Sequence, residues 1–152
     1  MVCLLAMAGA SLARADDAGL RRAIDATKRP WLADAARNDG IRNFSPKELR
    51  RVTRVLRRQI GDVDRLIRAV RAQHASTPRV GRDRNDLLRA LGLQNRNFEA
   101  IIQEFPALLR HDKPLGRRYE RQATKLGCQA EAPGRLADRL IPTDAWPAAP
   151  CQ

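Results

Sequence analysis

Aromatic residues are scarce. Trp31, Phe44, Phe98, Phe105, Tyr119 and Trp146 are the only six in 152 residues. Strands are enriched in aromatic and β-branched side chains, so a core drawn from Leu, Ile, Val and Ala argues for helices and against a sandwich or barrel. So few rings also leave little with which to stack exposed bases. Lysine is equally thin: Lys28, Lys47, Lys113 and Lys125 are four of 29 basic residues, and the rest are arginine. His74 and His111 are the only histidines, and neither has a ligand residue four positions on. No Cys, His or carboxylate cluster stands at metal-ligand spacing, so no metal and no cofactor is expected. Ser11, Ser45 and Ser76 fall in an apolar leader, before a helix and in a loop, away from any triad partner. The three cysteines show no C-x-x-C spacing, which excludes a dithiol redox motif. Nothing in the chain reads as a catalytic constellation.

What the chain does have begins at its first residues. Val2 to Ala13 is an apolar and small-residue run, and it ends in the small-x-small triplet Ala13-Arg14-Ala15 with Asp16-Asp17 behind it. That is the pattern of a secretory signal peptide cleaved after Ala15, and the run is too short to span a bilayer. Residues 1–15 are therefore expected to be removed and 16–152 to form one helical domain, periplasmic or secreted. Cleavage removes Cys3 and leaves Cys128 and Cys151, an even pair suited to an oxidising compartment. A Cys128–Cys151 disulfide would close a loop of about two dozen residues, a constraint of about 3 kcal/mol in the chain-entropy picture.

The clearest element follows Ser45-Pro46-Lys47-Glu48, a capping box with proline at the first helical position. Behind it Leu49, Val52, Leu56, Ile60, Val63, Ile67 and Val70 recur in steps of three and four, one face of a helix. The pattern predicts one long central helix over about 46–74, closed by Thr77-Pro78. Around it we expect a short helix over 17–28 ended by Pro30, then a second piece from Trp31 to Arg37. A loop is expected over 79–82, and a helix over 83–91 stopped by Gly92 as a C-cap. A further helix, capped by Asn95 or Asn97, carries Phe98, Ile101, Ile102 and Phe105 up to Pro106. The last runs from about Pro114 to Leu126 and stops at Gly127. Residues 128–152 hold four prolines and read as an extended tail pinned by the disulfide. The expected fold is all-α, a small bundle of four to six helices.

The second signal is charge. Net charge is +12, and +11 once Arg14 leaves with the leader. An excess of this size implies an anionic partner, and arginine grips phosphate and carboxylate with two parallel bonds where lysine cannot. The long helix concentrates it: Arg50, Arg51, Arg54, Arg57, Arg58 and Arg65 crowd one side, and no acid falls between Arg50 and Arg58. Like charges three and four residues apart cost a few tenths of a kcal/mol per pair, so such a face suits an external anion. These six are the expected contact residues, toward an acidic protein or an envelope anion such as lipid phosphate. Export argues against nucleic acid as the partner. If the N-terminus is instead retained, a cytosolic nucleic-acid-binding protein becomes the alternative.

The segment Leu56-Arg57-Arg58-Gln59-Ile60-Gly61-Asp62-Val63-Asp64 resembles the opening helix of the all-α chorismate mutases, which reads L-R-x-x-I-x-x-h-D with h apolar. That resemblance implies a secreted enzyme acting on a small dicarboxylate, with Arg57 as a substrate arginine. The chain departs from the family at Ala75-Ser76-Thr77-Pro78, where the family's helix continues to a further arginine. No lysine lies between Lys47 and Lys113 to serve as the family's catalytic lysine. Separately, Leu87-Leu88-Arg89-Ala90-Leu91-Gly92-Leu93 and the apolar residues to Leu109 are similar to one repeat of the mitochondrial transcription termination factors. Solenoids of that kind need at least three stacked repeats, and a single copy is better explained as the core of a helical hairpin.

Overall fold

The computed structural model describes residues 3–36 and 45–137, with side chains over 18–34, 45–130 and at 133. Four helices make up this part of the chain: α1 (Cys3–Ala36), α2 (Pro46–Arg71), α3 (Pro78–Leu109) and α4 (Lys113–Ala137). The described residues hold helix and no strand, as the scarcity of aromatic residues predicts. Each helix runs antiparallel to the next and packs mainly on its neighbours in the chain: α1 on α2, α2 on α3, and α3 most extensively on α4.

The long helix starts where its sequence says. Ser45 is the N-cap with extended backbone, its hydroxyl accepts the Glu48 amide at 3.3 Å, and Pro46 opens the first turn. It ends at Arg71, three residues short of the expected 74. Thr77-Pro78, expected only to close α2, instead caps α3: the Thr77 hydroxyl accepts the Val80 amide at 3.3 Å. Residues 79–82, expected as a loop, are therefore the first turns of α3. Arg84 reaches back from there and donates to the Val70 and Arg71 carbonyls at 3.1 and 3.0 Å, satisfying Arg71 and giving Val70 a second donor beside the Gln73 amide at the end of α2.

Several expected breaks are bridged. The two pieces expected over 17–28 and 31–37 are not separate: one continuous α1 passes through Pro30 and runs to Ala36. Proline inside a helix costs about 3 kcal/mol. Burial of Trp31, the next residue and two turns beyond Ile24 on the same side, offsets it: an aromatic of this size contributes about 4–6 kcal/mol by area. Gly92 lies within α3 and does not cap a helix, and Pro106 lies within its last turn. Asn95 and Asn97 are buried in mid-helix and cap nothing. Gly127 is likewise internal to α4, which continues through Pro133 to Ala137, so 128–137 are helical and not extended. Residues 138–152, with Cys151 and the expected disulfide, lie outside the described residues.

α3 ends in a tight corner. His111 has φ 56°, the left-handed conformation of a Schellman motif, and its amide and that of Asp112 donate to the Leu108 and Ala107 carbonyls at 3.1 and 2.9 Å. Asp112 then accepts the Leu115 amide at 3.1 Å and starts α4.

Two apolar clusters fill the interior. Leu20, Ile24, Trp31, Val63, Leu66, Val70, Leu87 and Leu91 join α1, α2 and α3. Leu49, Val52, Leu56, Phe98 and Phe105 join the other end of the α2–α3 pair. A polar layer lies between them in sequence along both helices. Gln59 separates Leu56 from Val63, and Gln94, Asn95 and Asn97 separate Leu91 from Phe98, all four buried. Asn95 donates to the Asp64 carboxylate at 2.7 Å and to the Ile60 carbonyl at 3.5 Å. Among the described residues the carbonyl oxygens of Gln59, Gln94, Asn95 and Asn97 find no hydrogen-bond partner.

Candidate functional site

The buried face of α2 fixes where its arginines stand. At about 100° per residue, Leu49, Val52, Leu56, Val63, Leu66 and Val70 occupy the side turned to the core. Arg50, Arg54, Arg57 and Arg68 fall within an arc of about 60° on the opposite side, a ridge about 27 Å long. All four are exposed. Arg51, Arg58 and Arg65 form a second row beside the ridge, seven residues apart.

The two rows differ chemically. Every member of the second row holds a carboxylate. Arg51 donates to both Glu48 oxygens at 3.0 and 2.7 Å, a two-pronged bond across one turn. Arg65 binds Asp62, three residues earlier and buried. Arg58 faces Asp34 of α1 at 3.4 Å, longer than the 2.7–2.9 Å of a well-formed charge-assisted bond. Among the described residues the ridge members Arg50, Arg54 and Arg57 make no ion pair with any carboxylate. The six arginines expected from the sequence thus lie on one side of one helix, but only three of them are uncompensated.

Gly61 falls on the ridge itself, between Arg57 and Arg68. A methyl group built on it would meet nothing within 4 Å, so the helix backbone is open there. With α1 it floors a groove of about 490 Å³, into which Arg57, Arg58 and Arg65 project beside Asp34 and Asp62. Pro30 and Ala33 form the α1 wall, both small enough to leave it open. Neither Asp34 nor the groove was legible from the helix pattern. The one available signal was a glycine at the centre of an arginine stripe, which reads equally as a weak point in the helix.

Comparison with protein-family models, with curated proteins and with solved structures returns no match. The function has to be read from the side chains.

The remaining polar groups arrange differently. Asp62 and Asp64, two residues apart, go to separate partners, Arg65 and Asn95, so they do not act as a carboxylate pair. His74 is exposed, and His111 sits at the α3–α4 corner. There a second hollow of about 360 Å³ is bordered by Glu104, Leu108, His111, Arg117 and Glu120. Partial burial pushes the Glu104 carboxyl above its usual range, and the nearby Glu120 charge adds to that. Among the described residues no three His, Cys, Asp or Glu side chains come together as a metal site, and no helix is long and apolar enough to cross a membrane.

Proposed function

We propose that this chain is an exported helical binding protein that uses the arginine face of α2 to contact an anionic partner, an acidic protein or an envelope anion such as lipid phosphate. One observation carries the reading: Arg50, Arg54 and Arg57 stand exposed on one ridge with no carboxylate partner among the described residues. Guanidinium groups in a row repel one another, and an external anion relieves that repulsion while taking two-pronged bonds. The signal-like N-terminus supports an envelope destination, with cleavage after Ala15 and a Cys128–Cys151 bridge in the mature protein. Intact mass with and without thiol alkylation checks both features on protein recovered from its native host. Loss of residues 1–15 and of two hydrogens is expected.

The contact itself is tested with the purified chain against phosphatidylglycerol vesicles, phosphatidylcholine vesicles and poly-glutamate. Binding to at least one anionic probe, falling steeply with added salt, is expected, with none to the neutral vesicle. Arg50→Glu with Arg54→Glu avoids the arginines already engaged by carboxylates. It should lower the affinity by tenfold or more and flatten the salt dependence. Unchanged affinity in that variant removes this face as the contact surface.

A further inference from the structure

We infer that the groove over Gly61 is a phosphate-binding notch, the point on the basic face where one anionic group is held by geometry as well as by charge. The inference rests on the reading of α2 as an anion-contacting face and adds a place and a ligand chemistry to it. Three guanidinium groups, those of Arg57, Arg58 and Arg65, border the notch, and two carboxylates, Asp34 and Asp62, stand among them. That leaves one uncompensated positive charge, and it belongs to Arg57, which has no carboxylate partner among the described residues. The two carboxylates are not equivalent. Asp62 is buried and bound to Arg65 on the same helix, whereas Asp34 reaches Arg58 from α1 at only 3.4 Å. Arg58 is two-thirds exposed while Asp34 is only 16 % exposed, so Arg58 engages an anion by turning toward it while staying beside that carboxylate.

Size and floor select the ligand. About 490 Å³ lies within the range of small-molecule sites and admits a phosphate with a short polar substituent. Glycine at 61 keeps the floor of the groove clear, where a side chain longer than a methyl group would stand in the ligand's way. A tetrahedral phosphate presents oxygens in several directions and can engage Arg57 and Arg58 from two sides, while a carboxylate offers its lone pairs in one plane. A free phosphate ester and a lipid headgroup present this same chemistry.

Two titrations on the full chain separate those sources: glycerol 3-phosphate followed by calorimetry, and phosphatidylglycerol vesicles followed by sedimentation. Gly61→Leu fills the notch, and Arg57→Ala removes the uncompensated charge. Gly61→Ala is the control, since its methyl group has open space and leaves the groove passable. Circular dichroism establishes that each variant folds. Wild type should bind at least one probe, Gly61→Ala should bind it equally well, and Gly61→Leu and Arg57→Ala should each lose tenfold or more. Loss of the soluble ester assigns a free phosphate ester; loss confined to vesicles assigns a headgroup. If Gly61→Leu folds and binds both probes as wild type does, the notch is overturned. The ridge then stands or falls separately on Arg50→Glu with Arg54→Glu. Absence of any binding to wild type overturns both.

Discussion

Glu104 carries a charge that its surroundings oppose. Partial burial favours the neutral carboxyl, and the Glu120 charge across the hollow pushes in the same direction. A carboxyl whose folded-state pKa is raised contributes stability while it is protonated, and that contribution is lost as pH rises through the folded value. Wild type should therefore lose melting temperature as pH rises above the ordinary glutamate value of about 4.3, relative to Glu104→Gln, whose side chain stays neutral throughout. Thermal unfolding of the two proteins as a function of pH checks it. Equal slopes would mean that the carboxyl is solvated as fully as in the unfolded chain. The effect is small because the group keeps much of its contact with water. Arginine at the residue scale shows the complementary case. Sequence alone placed Arg51, Arg58 and Arg65 among six equivalent cations, and the fold separates them from Arg50, Arg54 and Arg57 by supplying carboxylates. Two of those, Glu48 and Asp62, were legible at three-residue spacing. The third, Asp34, comes from another helix, and no spacing rule reaches it.

Helix α2 is the element best written into the sequence, because its signals agree: a capping residue, a proline at the first position and apolar steps of three and four. Most of the misread boundaries rest on single residues. Pro30, Gly92, Pro106, Gly127 and Pro133 are helix breakers by local preference, and each sits within a helix here. Packing against a neighbouring helix outweighs about 1 kcal/mol for glycine and about 3 for proline, and a local reading does not contain that neighbour. Buried carboxamides mislead for the same reason. Asparagine at 95 and 97 looks like a cap until α2 is laid against α3 and both prove to be interior. The polar layer they form with Gln59 and Gln94 makes a sharp prediction about the α2–α3 pair. Gln59→Leu removes an acceptor that has no partner among the described residues, and should stabilise the fold by about 1 kcal/mol. Asn95→Leu removes the donor to Asp64 and leaves that carboxylate short of a bond, at a cost of about 2 kcal/mol. Denaturant midpoints at constant slope measure both. A destabilising Gln59→Leu would show that its amide is satisfied by water.

At the scale of the molecule the helices form a series in which α2 and α3 are packed on two sides and α1 and α4 chiefly on one. Stability should follow that order. Native-state hydrogen exchange is expected to show the greatest protection in α2 and α3, opening only with global unfolding, and less in α1 and α4. Uniform protection across all four helices would contradict this, and would mean that the outer pair is held as firmly as the inner one. The same layout bears on the basic face. Asp34 and the α1 wall of the notch belong to an outer helix, so a ligand held there also bridges α1 to α2, and binding should raise protection in α1 first.

The serial layout has a consequence for synthesis. Each helix docks on the segment made just before it, so the growing chain can bury its apolar faces hairpin by hairpin as it emerges. The contacts that matter are short in sequence separation, the condition under which helical proteins fold fastest. No finished helix has to wait, with its leucines in water, for a partner encoded at the other end of the message.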